Sequence, residues 1–322
     1  MNFISASEEI TKSDLQELEN FIEKSIGEDK FIYKACAPLV AGGKRLRPML
    51  FMSCARAKNF SANEKILPLA TALELIHTAS LVHDDILDSS KKRRGVDTIN
   101  SVYGAQIAVL IGDYLFAKAF QLVAENHYGD EVGAVLSELV KNLCIGEIMQ
   151  DREFFNVPTL SEYYTRINLK TAVFLSSCCK LGGIITGLDK NEITGLSFYG
   201  SNLGLAFQIT DDLLDFFGEE KITGKIVGGD LKSGVITLPM IRALQVSNKS
   251  DVLREIISSH EITDSDIQTA IEIIKNTDAA DYCKNRAIAH IDSALISLPD
   301  NIKNSVSCTL KKVADFVVSR NW

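Results

Sequence analysis

The sequence contains little that would interrupt helices. Only six of its 322 residues are proline, and most of these fall where a helix is expected to begin or end. The alternation of apolar and polar residues that marks a half-buried strand is nearly absent. Apolar residues instead recur every three or four positions, as at Leu15, Leu18, Ile22 and Ile26. The pattern predicts an all-α fold.

The sequence also lacks the signs of a domain boundary. It has no Gly/Ser-rich linker, no low-complexity tract, no block of like charge and no repeat of fixed period. Apolar residues make up 46% of the chain, which is enough for a sizeable core. We therefore expect one all-helical domain over residues 1–322.

A concentrated basic surface is missing as well. The formal net charge is −8, whereas a protein that binds nucleic acid needs a basic stripe to release counterions from phosphates. Nucleic acid is therefore not an expected partner. The first two dozen residues are acidic, and the most apolar stretches, such as 106–120, contain Asp113 and Lys118. We expect no export signal and no integral membrane segment, and we predict a cytoplasmic protein.

The cysteines form no recognisable site. Seven are present, but none belongs to a CxxC pair or has the spacing to histidine that is typical of a metal site. We interpret them as reduced core residues. The sequence also shows no Ser-His-Asp or Cys-His signature of nucleophilic catalysis.

Two acidic motifs of the form DDxxD lie inside apolar helical stretches. The first is DDILD at residues 84–88, and the second is DDLLD at 211–215. Residues four apart lie above one another on a helix, so the first and last aspartates of each motif share a face. Such carboxylates repel one another unless a cation neutralises them, and magnesium prefers oxygen ligands. One motif alone more often marks a solvated acidic face, but the apolar surroundings favour a pair of metal sites.

Two basic clusters accompany the acidic motifs. The segment GGKRLRP at residues 42–48 precedes an apolar helix, and KKRRG at 91–95 directly follows the first DDxxD motif. Glycines let backbone amides approach a phosphate, and a helix N-terminus adds partial positive charge. The first cluster alone is as easily a basic surface turn. Cations beside metal-binding carboxylates are what a diphosphate requires, so the combination predicts a diphosphate site.

These motifs occur in the order that is typical of one enzyme family. GGKRLRP, DDxxD with RRG, the pair Lys170-Thr171, and Phe207-Gln208 before a second DDxxD closely resemble the trans-isoprenyl diphosphate synthases. The similarity extends over residues 42–239. It implies a helical isoprenoid synthase bundle around a central cavity, with isopentenyl diphosphate and an allylic diphosphate as substrates. It further implies three Mg²⁺ ions in the active site and a homodimer.

The resemblance also implies roles for individual residues. The residues implied in holding isopentenyl diphosphate are Lys44, Arg47, His77 and Arg94. Those implied in contacting the allylic diphosphate are Arg93, Lys170, Thr171, Gln208 and Lys225. The implied magnesium ligands are Asp84, Asp88, Asp211 and Asp215. The set implied in catalysis is Asp84, Asp85, Asp88, Lys170, Gln208, Asp211 and Asp212.

Two small residues before the first acidic motif bear on product length. Ala79 and Ser80 lie about one helical turn before Asp84, where a growing apolar tail would pass. Short-chain members of the family often carry a bulky aromatic residue there, and bacterial farnesyl synthases commonly have two additional residues in the motif; this sequence has neither. Residues 93–100 also resemble octaprenyl diphosphate synthases of bacterial quinone biosynthesis. The hypothesis is extension of farnesyl diphosphate to octaprenyl diphosphate for ubiquinone or menaquinone.

Other functions stay open at this point. Products of hexaprenyl to nonaprenyl length, and short farnesyl or geranylgeranyl products, are alternatives. A terpene cyclase shares one DDxxD motif and a helical fold, but it does not need the second motif or GGKRLRP. A non-catalytic helical subunit of a heteromeric synthase would be expected to lose one carboxylate set, and both are intact here. An apolar product is compatible with transient membrane contact.

Overall fold

A computed structural model describes residues 10–27, 29–40, 45–58, 63–93, 95–218 and 227–319. The described residues form two compact units. Unit 1 contains the residues up to Val140, together with Ser177–Ser197 and Pro299–Val313. Unit 2 contains Lys141–Ser176, the described part of Phe198–Leu298, and the residues from Ala314 onward. Several helices contribute residues to both units, and the single domain expected from the sequence stays a prediction.

Nearly all regular secondary structure in the described residues is helical, which confirms the predicted all-α class. The helices of the first half are α1 (Lys12–Ile26), α2 (Lys30–Val40), α3 (Leu46–Ala55), α4 (Asn63–Leu87), α5 (Ile99–Tyr103), α6 (Ala105–Glu125) and α7 (Asp130–Arg152). Those of the second half are α8 (Leu160–Ile167), a π-helical turn (Asn168–Ala172), α9 (Val173–Ile185), α10 (Lys190–Phe217), α11 (Gly229–Lys232), α12 (Leu238–Val246), α13 (Ser250–Ser258), α14 (Asp264–Lys275), α15 (Ala279–Ile296) and α16 (Asn304–Val318).

One small hairpin follows the first acidic motif. Its strands are β1 (Lys92–Arg93) and β2 (Val96–Asp97), and they pair antiparallel with Arg93 opposite Val96. Gly95 has a φ of +81°, a conformation that glycine adopts without steric cost. Thr98 closes the hairpin because its hydroxyl donates to the carbonyl of Ser90 at 2.7 Å.

Helix α4 forms the core of unit 1. Every residue from Pro68 to Ile76 is buried, as expected for a helix that is apolar on all sides. Helix α6 packs along it. Gly112 leaves room for the imidazole ring of His83, because a Cβ atom added there would lie 2.1 Å from Nε2 of that ring. Since His83 immediately precedes the first acidic motif, the packing of α6 helps to fix the end of α4 that carries the motif.

Two described helices are long and apolar enough to cross a membrane by length and composition alone, namely α4 and α6. Most of the apolar stretch of α4 is buried within the protein, as in the core helix of a folded domain. Fewer than half of the residues in the corresponding stretch of α6 are buried. Val109 and Leu110, both exposed, lie on its uncovered face.

All seven cysteines lie within the described residues and have free thiols. Five are buried, and Cys308 is intermediate. Burial raises the pKa of the Cys36 thiol to about 12, which keeps that thiol protonated. The prediction of core residues is wrong for Cys144, which is exposed on α7 because it lies on a face of that helix that no described residue covers.

Candidate functional site

The first acidic motif lies at the C-terminal end of α4. Asp85 is 2% exposed, whereas Asp84 is half-buried and Asp88 is exposed. The amide of Asp88 donates to the carbonyl of Asp84 at 2.8 Å, so helical spacing continues one residue beyond the helix. Asp84 and Asp88 therefore share the accessible face, and Asp85 faces the protein.

The hairpin after α4 holds Asp85. Nε of Arg93 lies 2.9 Å from Oδ1 of Asp85, and the amide nitrogen Nδ2 of Asn100 donates to the Asp85 carbonyl at 3.0 Å. Burial raises the pKa of Asp85, and the charge of Arg93 opposes this shift. Oδ2 is buried and accepts no hydrogen bond from the described residues. Arg93, predicted to contact the allylic diphosphate, is thus positioned by an ion pair with the motif itself.

The cations of the GGKRLRP segment have different environments. Arg45 is 5% exposed, and its guanidinium lies 2.6 Å from carboxylate oxygens of both Glu19 and Glu74. It also donates to the carbonyl of Val40. This side chain links α1 and α4 to the start of α3, so it is a structural residue and is not available to a phosphate.

Arg47, in contrast, contacts another predicted ligand of isopentenyl diphosphate. Its Nη1 lies 3.1 Å from Nε2 of His77 on α4, and both side chains are half-buried. The structure therefore brings these two predicted residues together within unit 1. Three other predicted ligands, Lys44, Arg94 and Lys225, lie outside the described residues.

The predicted chain-length residues lie one turn before the motif. Ala79 is fully buried, and Ser80 is half-buried. The Ser80 hydroxyl donates to the carbonyl of His77 at 2.8 Å, so it is turned back against its own helix. Both positions are small, and their role in product length stays a prediction.

The second acidic motif lies near the end of α10. Asp212 is 2% exposed and accepts two hydrogen bonds, from the hydroxyl of Tyr163 at 2.7 Å and from Nε2 of Gln208 at 2.8 Å. Burial raises the pKa of Asp212 to about 7, and the charge of Asp230 contributes to the shift. Asp211 is half-buried on another face of the helix. As in the first motif, the second aspartate of the five residues is the one held by the protein.

Asp215 has a different environment. Its two carboxylate oxygens accept hydrogen bonds from the backbone amides of Gly229, at 3.1 Å, and Asp230, at 3.2 Å. The side chain therefore caps the start of α11. Burial raises its pKa to about 7, and the charge of Asp230 adds to this. The predicted magnesium role of Asp215 stays a prediction, and the structure assigns the side chain a role in fixing the chain after α10.

Two glycines allow α10 to approach the π-helical turn and the start of α9. A Cβ atom added to Gly204 would lie 2.4 Å from Cα of Ala172, and one added to Gly200 would lie 2.5 Å from the carbonyl oxygen of Leu175. The neighbouring atoms are backbone or Cα atoms, which cannot rotate away. Gly204 lies four residues after Gly200, and Gln208 four residues after Gly204, so each lies one turn beyond the one before it on α10.

The π-helical turn places one predicted residue of unit 2 against α10 and another against α7. The hydroxyl of Thr171 donates to Oε1 of Gln208 at 2.7 Å, one residue after Lys170. Nζ of Lys170 lies 2.6 Å from Oε1 of Glu147 on α7. π-Helical turns occur frequently at functional sites, and this one carries both members of the predicted Lys170-Thr171 pair.

The donor sets are suited to magnesium shared with a ligand. Within the described ranges, no group of three or more His, Cys, Asp or Glu side chains could hold a metal ion by itself. The accessible carboxylates Asp84, Asp88 and Asp211 are hard oxygen donors. Magnesium is usually held by one or two carboxylates together with phosphate oxygens and water. Asp84 with Asp88 in unit 1, and Asp211 in unit 2, therefore each fit a metal ion that arrives with a diphosphate.

Sequence reasoning missed several residues that hold the side chains of the motifs in place. Tyr163 and Glu147 hold predicted residues in unit 2, whereas Asn100, Glu19 and Glu74 act in unit 1. Except for Asn100, they are remote in sequence from the groups they contact. No spacing rule within one helix connects them, and their roles follow from tertiary contacts.

Comparison with known proteins gives a consistent result. Residues 29–274 match the family model described as polyprenyl synthetase. A short chain isoprenyl diphosphate synthase of Methanocaldococcus jannaschii is 38% identical over 82% of this chain and 82% of the relative. The crystal structure of a decaprenyl diphosphate synthase from Rhodobacter capsulatus has a TM-score of 0.88 and 33% identity, covering 96% of each chain. A polyprenyl synthase from Caulobacter crescentus, complexed with calcium and isoprenyl diphosphate, has a TM-score of 0.88 and 32% identity, covering 97% of this chain and 96% of the other.

The structural role of Arg45 can be tested by its removal. We expect Arg45→Ala to lower the free energy of unfolding by about 3–5 kcal/mol, because the buried carboxylate of Glu74 loses its cation. Lys92→Ala is the control, since Nζ of Lys92 lies 4.0 Å from Asp97 in an exposed pair; it should change stability by less than about 1 kcal/mol. Urea unfolding followed by circular dichroism measures both. Equal stability of the two variants would contradict the structural role.

Proposed function

Because this chain belongs to the polyprenyl synthetase family, we propose that it is a prenyltransferase that adds isopentenyl diphosphate head to tail to an allylic diphosphate. The observation that carries the proposal is the shared arrangement of the two DDxxD motifs. In each, the second aspartate is buried and held by protein donors, while the first aspartate lies on a more accessible face. The buried aspartate anchors the end of the helix, and the accessible aspartate offers its carboxylate oxygens to a ligand. This arrangement suits a metal ion that is bound together with a diphosphate.

The proposed substrates follow from the groups around these motifs. Arg47 and His77 form one cationic and hydrogen-bonding pair, suited to the diphosphate of isopentenyl diphosphate together with Lys44 and Arg94. Arg93 and Lys170, with Thr171, Gln208 and Lys225, would contact the allylic diphosphate. The Caulobacter relative with bound calcium and isoprenyl diphosphate supports a divalent cation and a substrate of this class.

The mechanism we propose uses charge stabilisation and requires no side-chain nucleophile. Magnesium, with three ions proposed, would be held by Asp84, Asp88, Asp211 and Asp215 and would neutralise charge on the departing pyrophosphate. Arg93 and Lys170 add positive charge beside that leaving group, so the allylic carbon–oxygen bond can ionise. The alkene of isopentenyl diphosphate, held by Arg47 and His77, attacks the allylic cation. A proton then passes to the released pyrophosphate, and the product is an allylic diphosphate longer by one isoprene unit.

We propose a long-chain product, octaprenyl diphosphate, built on farnesyl diphosphate for a quinone side chain. The support is local: Ala79 and Ser80 place no bulky side chain below the first motif. The relatives include a short chain synthase and a decaprenyl synthase at similar identity, so they do not select one length. Hexaprenyl to nonaprenyl and short-chain products are the competing outcomes.

A homodimer is the assembly we propose. The support is the uncovered face of α6, where Val109 and Leu110 are exposed, with Val102 exposed on the preceding helix. A second copy of the chain would bury this apolar face, and light scattering gives the mass of the assembly directly.

Activity of the chain alone would argue against the competing assignment as a non-catalytic subunit. The cytoplasmic location and transient membrane contact stay predictions.

Replacing the first aspartate of either motif tests the proposed chemistry. We expect Asp84→Ala and Asp211→Ala each to reduce turnover roughly 100-fold or more, because a group that stabilises transition-state charge is removed. The assay combines farnesyl diphosphate, labelled isopentenyl diphosphate and magnesium, with chromatography of the dephosphorylated products. Asp315→Ala, at an exposed position of α16, is the control and should retain wild-type activity. Turnover at the wild-type rate in either motif variant would remove the metal assignment.

A larger side chain at Ser80 tests the product-length proposal. We expect Ser80→Phe to shift the product distribution to shorter chains, because the aromatic ring would obstruct the path below Asp84. Ser137→Phe is the matched control: Ser137 is exposed on α7 and its hydroxyl also donates to a carbonyl of its own helix, at 2.8 Å. The same chromatography measures both distributions. An unchanged distribution in Ser80→Phe would show that the tail does not pass this residue.

A further inference from the structure

We infer that Tyr163 is a positioning residue for the reaction, which fixes Asp212 and, through it, the Gln208–Thr171 pair. The inference rests on the proposed function, because it concerns the residues that would contact the allylic diphosphate and its metal. Tyr163 belongs to α8 and was not among the residues that the sequence motifs indicate. Its hydroxyl would act through hydrogen bonds and would not touch the substrate.

The first step is the burial of Asp212. Tyr163 is fully buried, and Asp212 is 2% exposed, so water does not reach this carboxylate to any useful extent. A buried carboxylate requires hydrogen-bond donors. Tyr163 supplies one at 2.7 Å on Oδ2, and Gln208 supplies one at 2.8 Å on Oδ1. Each oxygen of Asp212 thus has one side-chain donor.

The second step is the orientation of Gln208. Nε2 of Gln208 donates to Oδ1 of Asp212, and the Tyr163 hydroxyl donates to Oδ2, so the nitrogen of the Gln208 amide is the atom that faces Asp212. Its Oε1 then faces Thr171, whose hydroxyl donates to it at 2.7 Å. The hydrogen bonds therefore run in one direction, from Thr171 to Gln208 and from Gln208 to Asp212. Loss of the Tyr163 donor would leave one carboxylate oxygen without a partner and loosen the orientation of the amide.

The third step is that Tyr163 is itself held rigidly. The ring of Tyr164 packs edge-on against it, with centroids 5.4 Å apart, and the guanidinium of Arg166 lies 5.8 Å from the ring centroid. Arg166 is in turn fixed by Glu153 at 2.7 Å and by the carbonyl of Ile236 at 2.6 Å. A phenylalanine at position 163 would keep these ring contacts and remove only the hydroxyl.

The start of α8 also contributes to the position of Tyr163. Thr159 and Glu162 form a capping box, in which the Thr159 amide donates to Glu162 at 2.7 Å and the Glu162 amide donates to Thr159 at 3.2 Å. Tyr163 follows in the next position, and its amide donates to the Thr159 carbonyl at 3.0 Å. The capping box therefore sets the helix register from which the Tyr163 hydroxyl reaches Asp212.

The neighbouring tyrosine provides a matched control. The hydroxyl oxygen of Tyr164 is buried, as is that of Tyr163, but it has no hydrogen-bond partner among the described residues. Tyr164→Phe therefore removes the same group from the same helix without removing a hydrogen bond. Any difference between the two variants reports on the bond to Asp212.

The experiment compares Tyr163→Phe, Tyr164→Phe and the unchanged chain. We expect Tyr163→Phe to lower kcat about tenfold or more, because one oxygen of a buried carboxyl group loses its hydrogen-bond donor. KM for isopentenyl diphosphate should be unchanged, and the magnesium concentration at half-maximal rate should be higher. Tyr164→Phe should match the unchanged chain in all three quantities. Thermal unfolding of each variant shows whether the protein is folded at the assay temperature.

Binding supplies a readout that does not need turnover. Calorimetric titration with inorganic pyrophosphate and magnesium should show weaker binding to Tyr163→Phe, by about fivefold or more, and unchanged binding to Tyr164→Phe. If the protein without substitutions shows no prenyltransferase activity, the proposed function is refuted. The pyrophosphate titration alone then decides the inference about Tyr163. Equal pyrophosphate binding in the two variants, or equal kcat and magnesium dependence in an active enzyme, would overturn it. A fall in kcat that is fully explained by the unfolded fraction would overturn it as well.

Discussion

The burial of one carboxylate in each acidic motif is the constraint on which the candidate site depends. Three aspartates within five helical residues cannot all face the same side, because each residue advances the helix by a little more than a quarter of a turn. When the first aspartate faces the accessible side, the second turns towards the protein. Asp85 and Asp212 are each 2% exposed, and a carboxylate so placed must receive donors from the surrounding chain.

The two motifs meet this requirement in different ways. Asp85 receives a cation from Arg93, only eight residues later, and the hairpin that carries Arg93 is closed by Thr98. Asp212 receives neutral donors, one from Gln208 on its own helix and one from Tyr163, which is 49 residues earlier. The first arrangement is local and the second is tertiary. Consequently the helix packing around α10, including the close approach at Gly204, is part of how the second motif is built.

This difference explains which features of the fold and of the candidate site could be predicted from the sequence. The helical class and the positions of both motifs follow from periodicity and spacing. Arg47 and His77 lie in contact, and their role with isopentenyl diphosphate stays a prediction. Spacing could not separate Arg45 from Arg47, because only the fold shows that Arg45 is enclosed by Glu19 and Glu74. The contact of Tyr163 with Asp212 was equally out of reach, since no helical or strand period relates residues so distant in the chain.

The π-helical turn is a second reason why the sequence motifs could not predict the contacts in unit 2. Tyr163 and Thr171 are eight residues apart, and in a regular α-helix Thr171 would lie roughly 80° past the face of Tyr163. A π-helical turn contains more residues per turn than an α-helix, so it brings Thr171 back towards that face. Both side chains accordingly reach the same helix, Tyr163 at Asp212 and Thr171 at Gln208. The turn has no sequence signature of its own, yet it carries the Lys170-Thr171 pair, whose threonine hydroxyl donates to Gln208 beside the second acidic motif.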